Sequence, residues 1–587
     1  MWPEAGYGWA PADMRYRWHW NFPINISPHD SDVVYVGSQY VHRTETAGDS
    51  WTEISPDLTL NLKDHQQSSG GVAFDNLMTY DGSLIFAIAE SPLTQGTIWV
   101  GTNDGQVQLT RDEGESWNNV TENIPDMPTW RTISNVEPSR FDAATAYISV
   151  DLHQMGDFDP WIYKTDDYGE SWSKISDGIP SSPHSFVHVV REDTKRPGML
   201  FAGTDNSVWM TIDDGAHWTK LRLNMPPAPV YWLVVQERFD DLVIATYGRG
   251  FYILDGIGSL RGLDEETLAS NTLFDIRPAY RWQETQGIKT EGSMSTRSGP
   301  QYGADINYFV AGQSGGRVRI RIEDASGEVV RELAGPTQPG INRVYWDLRH
   351  PAPSLPRFQT KPPGRDWVPL EQGADRVVYV WDIDFIRGHR GPLAVPGTYT
   401  VTVTLDDEEF SRPLEVLGDP YSTGSLSDIQ EQVTFSLQMR DQISNITSVI
   451  GRMEYTRVQL CAAASALEND ADAQAVLAEV RRLTTVATEL EGRLVDINLT
   501  GAREDSFRNP MKLYGRFSAL ASDVDWKGSD FVPTQQQREV HQVLTDRFEE
   551  AKQAIQEFLD GELNRLNDQL RSLGRPAIVS DGDGAGP

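Results

Sequence analysis

The sequence predicts a mainly β protein with an α-helical C-terminal domain, and three observations support this class. An eight-residue motif occurs four times between residues 44 and 218, each time after a short apolar strand. Residues 260–420 contain segments in which apolar and polar side chains alternate, as in half-buried strands. From about residue 425 the apolar residues recur at steps of three and four, which indicates helices.

The repeated motif has the form Thr-x-Asp-x-Gly-x-x-Trp and is identified as the Asp-box, or BNR repeat, of β-propellers. In this turn the Asp carboxylate accepts backbone N–H groups and Gly adopts a positive φ, while Trp begins the next strand and is buried between blades. The first copy has Thr46 in place of Asp, so we expect its turn to lose these bonds. We predict a structural role for the residues of the complete boxes, which are Asp112, Gly114, Trp117, Asp167, Gly169, Trp172, Asp213, Gly215 and Trp218.

The repeats predict a partial Asp-box β-propeller of about four to five blades over residues 1–259. Paired apolar strands accompany the boxes, and a further pair at residues 231–235 and 242–246 has no box after it. Propellers typically close with about four to eight blades, and we expect this ring to be open. Residues 1–10 lack the basic and apolar regions of a signal peptide. We therefore expect the sequence to be the C-terminal part of a longer protein, with the remaining blades supplied by that longer chain or by a second copy.

Three regions follow the blades. Residues 260–420 predict an immunoglobulin-like β-sandwich with a long loop at 351–373. Residues 421–573 predict an antiparallel helical bundle in which Ser427 caps the first helix and Thr534 begins the last with a capping box. The composition of residues 574–587 predicts a disordered tail.

Composition excludes several classes of function. The net charge of −34 argues against nucleic acid and anionic membranes as partners. No run of 18 apolar residues is present, so we predict no membrane span. The single cysteine, Cys461, excludes an intrachain disulfide, and its apolar helical surroundings predict a small core residue.

The order of these regions resembles a family of large, mostly bacterial BNR-repeat proteins described as sortilin N-terminal-like or glycosyl-hydrolase-like. The resemblance covers essentially the whole chain, and its most specific stretches are residues 16–23, 26–30, 54–58, 86–92, 247–255, 340–348 and 396–401. It implies a secreted or periplasmic protein with further blades and an export signal before this sequence. It implies no established reaction.

The most unusual loop, at residues 151–161, carries His153, Asp157, Asp159 and Trp161. Trp161 could stack on a sugar while a carboxylate acts as acid or base, so His153, Asp157 and Asp159 are the catalytic candidates. The same three residues could also ligate a metal or form a solvated hairpin loop, and we predict neither a metal site nor a cofactor. Strand ends supply further ligand-binding candidates, which are His42, Asp104, Asp205 and Arg249. Glu90, Glu137, Glu192 and Glu237 recur at the ends of the upstream strands, which favours a structural role.

Two functions remain open. The first is an exported, sortilin-like propeller that binds a glycan or a polypeptide in its channel. The alternative is a glycoside hydrolase with a xyloglucanase-like propeller, whose acid and base would be paired carboxylates from blade loops. The sequence contains no Gly-x-Ser-x-Gly, no His-Glu-x-x-His and no phosphate-binding loop, and no sialidase-like arginine triad can be picked out.

Overall fold

The computed structural model describes residues 10–67, 82–128, 130–222, 224–282, 301–312, 316–370, 376–377, 390–500, 502, 505, 507–525 and 530–580. The chain divides into two compact units, Met1–Ala269 and Ser270–Pro587. The described part is mainly β, with many small antiparallel sheets and a C-terminal helical region. This confirms the predicted class at that level.

Within its described residues, the first unit contains five antiparallel sheets, each built from strands that are consecutive in the sequence. We number the sheets 1 to 5 in chain order. Sheet 1 contains Ile24–Ile26, Val34–Gly37, Val41–Thr44 and Thr52–Glu53. Sheet 2 contains Ile85–Glu90, Ile98–Thr102, Val107–Thr110 and Asn118–Asn119. Sheet 3 contains Thr132–Pro138, Ala146–Asp151, Trp161–Thr165 and Ser173–Lys174.

Sheet 4 repeats this pattern and sheet 5 has one strand fewer. Sheet 4 contains Val187–Glu192, Leu200–Thr204, Val208–Thr211 and Thr219–Lys220. Sheet 5 contains Val230–Gln236, Asp241–Thr246 and Gly250–Leu254, and two short helices follow it at Gly258–Arg261 and Glu265–Ala269. The strands that the sequence predicted on either side of each box are therefore present.

Each complete box forms the same hydrogen-bonded turn. In sheet 2 the Asp112 carboxylate accepts the backbone N–H of Ser116 at 2.9 Å and the Thr110 hydroxyl at 2.7 Å. Hydrogen bonds from Ser116 lower the pKa of Asp112 to about 2, so the carboxylate is ionised at neutral pH. Two successive residues, Glu113 and Gly114, have positive φ values of 60° and 97°. The turn thus needs a glycine at its second left-handed position.

Thr46 takes over part of the role of the missing carboxylate in the first box. Its hydroxyl accepts the backbone N–H of Ser50 at 3.0 Å, in the position that Asp112 occupies toward Ser116. The expectation that this turn loses those bonds is corrected, because a hydroxyl oxygen is also a hydrogen-bond acceptor. The Trp51 indole donates to the carbonyl of Gly48 within its own turn.

Neighbouring sheets of the first unit pack face to face and share hydrophobic cores. Between sheets 4 and 5, Val189 and Phe201 meet Leu233 and Ile244. The opposite face of sheet 5 is exposed although it is apolar, and it carries Trp232, Val234, Phe251 and Ile253. On sheet 1 the corresponding free face is partly covered by Trp18, which stacks on His42 at 5.3 Å. The array therefore presents an uncovered apolar face at sheet 5.

The second unit begins with two sheets that share one hydrophobic core. The first contains Thr272–Leu273, Ala304–Val310 and Gly340–Trp346. The second contains Ala279–Arg281, Glu408–Gly418, Gly397–Leu405, Val318–Glu323 and Val329–Gly335, in that order. A two-stranded ribbon joins Arg357–Phe358 to Arg376–Val377. The immunoglobulin-like topology stays a prediction.

The helical region contains Leu426–Leu467, Gln474–Leu494, Leu513–Val524 and Gln535–Glu557, and then a π-helical turn, Phe558–Leu563, before the helix Asn564–Ser572. The predicted capping box of Thr534 and Gln537 is confirmed. The N-cap of the first helix is Ser425 and not Ser427, because Asp428 completes a capping box with Ser425. Cys461 is exposed. The prediction of a core cysteine is wrong, because the buried face of its helix runs through Met453, Arg457 and Leu460 instead.

Two buried ion pairs join the sheets of the second unit to its helices. Arg349 bonds to Asp525 at 2.9 Å, and Arg281 pairs with Asp530. At the C-terminal end Ile578 is buried and exchanges two hydrogen bonds with Asn567, while residues 581–587 of the predicted disordered tail lie outside the described residues. Among the helices of the described residues, none is long and apolar enough to cross a bilayer.

Candidate functional site

A cleft of about 1050 Å³ runs along the first strands of the five sheets in the first unit. Its walls come from residues 19–28 beside sheet 1, from the first strands of sheets 2 to 5 and from the turn at His153–Met155. Ligand sites are commonly concave and mostly apolar, with a few polar groups that fix orientation. This cleft is therefore the candidate site of the first unit.

A β-bulge interrupts the first strand in sheets 2, 3, 4 and 5. In sheet 4, Val187 pairs with Thr204 and Val189 with Gly203, which leaves His188 without a partner in the ladder. The equivalent unpaired residues in sheets 2, 3 and 5 are Phe86, Ser134 and Tyr231. All four residues line the cleft. A bulge re-aims one side chain out of the pleat, so each of these sheets contributes one such side chain to the site.

Histidine and aspartate side chains alternate at the wall formed by sheets 3 and 4. His153 Nδ1 lies 2.7 Å from Asp151 Oδ1, and His188 Nδ1 lies 3.9 Å from Asp151 Oδ2. On its other side His188 Nε2 lies 3.5 Å from Asp205 Oδ1, and Asp205 Oδ2 lies 2.9 Å from His184 Nδ1. We call these five residues the histidine–aspartate chain. Its imidazole at position 188 lies between two carboxylates.

The electrostatics of this chain follow from its contacts. The hydrogen bond to Asp151 raises the pKa of His153, although partial burial opposes the effect. Burial favours the neutral form of Asp205, but the hydrogen bond from His184 and the nearby imidazole of His188 outweigh burial and lower its pKa. At neutral pH the histidine–aspartate chain therefore contains at least one ionised carboxylate, which accepts a hydrogen bond from an imidazole.

Aromatic rings surround the histidine–aspartate chain. Tyr231 stacks on His188 with 4.1 Å between ring centroids, and Phe186 lies against both His153 and His188. Tyr247 lies 5.5 Å from Tyr231. Burial raises the pKa of Tyr231, and the nearby carboxylates of the histidine–aspartate chain add to the rise. The tyrosine is thus a neutral aromatic surface with a hydroxyl group, a combination that offers both stacking and hydrogen bonding.

Three glutamates of the cleft wall are engaged with other groups of the first unit. Glu90 accepts the N–H of Gly96 at 2.8 Å, and Glu192 accepts that of Gly198 at 3.4 Å, six residues further on in each case. Glu137 forms an ion pair with Arg191 at 2.5 Å. Burial raises the pKa of Glu192. These contacts explain the recurrence of glutamate at the strand ends, and each carboxylate has at least one oxygen engaged, while Glu90 Oε2 is buried without a hydrogen-bond partner among the described residues.

Of the residues predicted for the loop at 151–161, His153 lines the cleft. Asp157 accepts the indole N–H of Trp161 at 3.3 Å and the N–H of Asp159 at 2.9 Å. Asp159 also accepts the hydroxyl of Ser181, and Lys174 lies over the Trp161 ring at 3.5 Å. Asp157, Asp159 and Trp161 are not among the lining residues of the cleft. Their catalytic and binding roles stay predictions.

The strand-end candidates lie in different places. His42 is buried beneath Trp18 and bonds to the Ser38 hydroxyl at 2.7 Å, and burial lowers its pKa to about 4. Asp104 accepts the N–H of Leu60 at 2.8 Å, and burial raises its pKa. Asp205 belongs to the histidine–aspartate chain, and Arg249 lies in the exposed turn before Gly250–Leu254. Of these four, Asp205 alone reaches a cleft-lining residue through the ion pairs given above.

Sequence reasoning missed Asp151, His188 and Tyr231. His188 and Tyr231 stand inside apolar strands, where a single polar or aromatic residue resembles ordinary core. The available signal was that His188 and Tyr231 each stand between two apolar neighbours near the start of a first strand. Within the described ranges, no group of three or more His, Cys, Asp or Glu side chains is placed to hold a metal ion.

Comparison with known proteins finds no matching family model and no matching curated protein. Solved structures are similar at low TM-scores. The GH74 xyloglucanase from Xanthomonas campestris is 17% identical, with 44% of this chain and 40% of that chain covered, at a TM-score of 0.31. The Niastella koreensis GH74 enzyme is 13% identical, with 66% and 56% covered, at a TM-score of 0.28. YCF48 from Cyanidioschyzon merolae is 18% identical, with 29% and 53% covered, at a TM-score of 0.22. The chain thus covers 40% to 56% of the length of these proteins.

Proposed function

We propose that sheets 1 to 5 are consecutive blades of an Asp-box β-propeller and that the cleft along their first strands binds a glycan. The observation that carries the proposal is the lining of the cleft. Aromatic rings at Phe86 and Tyr231 and the hydrogen-bonding groups of Asp151 and His153 line one space of about 1050 Å³. Flat apolar faces next to polar groups suit a sugar ring, which has an apolar face and a polar rim.

The packing of the sheets supports the proposal that they are blades of a β-propeller. The Trp117 indole of sheet 2 donates to Ile54 O of sheet 1 at 3.0 Å, and Trp218 of sheet 4 reaches Ile175 O of sheet 3 in the same way. The uncovered face of sheet 5 has the apolar character of the faces that the next sheet covers elsewhere. We propose that a further blade covers it, supplied by a longer chain or by a second copy.

The remaining parts of the chain fit an exported binding protein of the sortilin-like BNR-repeat type. The immunoglobulin-like sandwich at residues 260–420 and the helical bundle at 421–573 would present the propeller or dock it to a larger assembly. The buried ion pairs Arg349–Asp525 and Arg281–Asp530 join these two parts. A secreted or periplasmic location belongs to the same proposal.

Hydrolysis is the alternative, and the cleft supports it less well. A glycosidase needs one carboxylic acid and one carboxylate on opposite sides of the scissile bond. Glu90 and Glu192 hold backbone N–H groups and Glu137 is paired with Arg191. Asp151 bonds to His153 and lies 3.9 Å from the His188 imidazole. Binding without cleavage is therefore the function that this geometry favours.

The test combines binding and cleavage on one panel of ligands. The purified chain is titrated calorimetrically with xyloglucan oligosaccharides, cellohexaose and extended peptides, and reducing ends are counted after prolonged incubation with the polysaccharides. We expect binding of a glycan without release of reducing ends. Release that disappears in Asp157→Asn or Asp159→Asn, but not in the exposed control Asp177→Asn, would establish the hydrolase instead. Binding of peptides alone would make the ligand a polypeptide.

A further inference from the structure

We infer that the bulge residues Phe86, Ser134, His188 and Tyr231 determine which ligand the cleft accepts, and that this ligand is a neutral oligosaccharide. The inference rests on the proposed glycan-binding function and adds to it the positions that select the sugar and the charge class of that sugar.

In each of sheets 2 to 5 the bulge places one cleft-lining side chain outside the regular alternation of its strand. Residues paired in a strand alternate between the two faces of its sheet, and in sheets 2 to 4 neighbouring sheets cover both faces. The residues just before the four bulges are fully buried. They are Ile85, Ile133, Val187 and Val230, in sheets 2, 3, 4 and 5 respectively. Only the extra residue of the bulge lies outside this alternation, and all four such residues line the cleft.

The four bulge positions differ in chemistry while their surroundings are alike. The preceding residue is always Ile or Val, whereas the bulge residue is Phe, Ser, His or Tyr. The aromatic rings come from sheets 2 and 5, and the hydroxyl and imidazole come from the two sheets between them. Ser134 Oγ is held by Ser149 Oγ at 2.8 Å and by Val187 O at 3.0 Å. The frame is thus constant and the side chain that it presents is variable, as expected for positions that select a ligand.

Charge in the cleft disfavours an acidic sugar. Among the described lining residues, Arg140 and Arg191 carry the permanent positive charges. Arg140 is paired with Glu237 at 2.6 Å, and Arg191 is paired with Glu137 and lies over the Trp232 ring at 4.2 Å. Each arginine thus already faces a carboxylate that offsets its charge, and the remaining acidic side chains of the lining would repel a sugar carboxylate. The lining therefore fits a sugar without charge.

The experiment compares bulge variants with matched controls in the whole chain. Phe86→Ala and Tyr231→Ala remove the two rings, and Phe141→Ala and Phe251→Ala remove exposed rings outside the cleft. Binding is measured by calorimetry with cellohexaose and xyloglucan oligosaccharides as neutral probes and hexagalacturonate as the acidic probe. We expect each bulge variant to bind the neutral probes about tenfold more weakly, Tyr231→Phe to bind within about twofold of the unsubstituted chain, and hexagalacturonate to bind at least about tenfold more weakly than cellohexaose.

The outcomes distinguish a failure of this inference from a failure of the proposed glycan-binding function. If the unsubstituted chain binds a neutral glycan but the bulge variants bind it as the controls do, the inference is overturned while glycan binding stands. Tighter binding of hexagalacturonate would overturn the charge argument alone. If only peptides bind, or no probe does, both the inference and the glycan proposal fail. Thermal unfolding of each variant shows whether a loss of binding reflects a loss of fold.

Discussion

The indole N–H of Trp218 in sheet 4 donates a hydrogen bond of 2.5 Å to the main-chain carbonyl of Ile175 in sheet 3. The Trp218 ring is 1% exposed and packs with Tyr147 and Ile162 of sheet 3. Thr211 and Asp213 close the turn by bonding to each other and to the N–H groups of Gly215 and His217, while Trp218 joins two consecutive sheets. This box is a joint between sheets as much as it is a turn.

Trp218→Phe should therefore weaken the contact between sheets 3 and 4. The substitution removes the pyrrole part of the buried indole and leaves the partly buried carbonyl of Ile175 without its donor, which together cost about 1–3 kcal/mol. We expect a lower thermal unfolding midpoint and faster amide hydrogen exchange in both sheets. Trp51→Phe is the control, because Trp51 donates to Gly48 within its own exposed turn and should have a smaller effect. Equal effects of the two substitutions would contradict the role of Trp218 in joining sheets 3 and 4.

Gly114→Ala should destabilise the chain more than Gly156→Ala. Both glycines have positive φ, 97° and 80°, so both substitutions strain the backbone. A Cβ at position 114 would also lie 2.4 Å from Ile54 O of sheet 1, whereas a Cβ at position 156 meets nothing within 4 Å. We expect about 1 kcal/mol for Gly156→Ala and about 2–4 kcal/mol for Gly114→Ala, measured by chemical denaturation. A reversed order would show that sheets 1 and 2 do not pack closely at this turn.

Acidification should destabilise the first unit through His42. Burial lowers the pKa of His42 from 6.5 to about 4, so the unfolded chain binds more protons between these values. The stabilising contribution of neutral His42 is complete above about pH 6.5 and is lost as the pH falls through about 4. We expect the unfolding midpoint to fall over this window and to fall less in His42→Gln. The exposed His217→Gln serves as the control and should keep the pH dependence of the unsubstituted chain.

The opposite sign is expected for Glu491 in the helical region. Burial raises the pKa of Glu491 well above 4.5, and the neighbouring Glu454 adds to the rise against the effect of Arg457. The folded state therefore binds the proton more tightly, and the stability from Glu491 is present at low pH and lost as the pH rises through its folded pKa. Glu491→Gln should flatten this loss and raise the unfolding midpoint at high pH. Glu489→Gln, on the exposed side of the same helix, should change neither.

The sequence by itself determined the elements whose signals are local. The four boxes, the strands beside them and the capping box at Thr534 are short-range patterns, because turn geometry, strand alternation and helix caps depend on residues within a few positions of one another. The observed cap of the first helix, Ser425, lies two residues before the predicted cap, Ser427, and the local character of the signal explains this small difference.

Only the tertiary structure decided the site. Asp151, His188 and Tyr231 belong to sheets 3, 4 and 5, and they meet because the sheets stack with their first strands toward one cleft. A polar or aromatic residue between two apolar neighbours is only a weak mark of a bulge, so the side chains that leave the pleat were recognised from the pairing of neighbouring strands. The exposure of Cys461 was decided in the same way, because the choice of the buried helix face depends on partners far away in the chain.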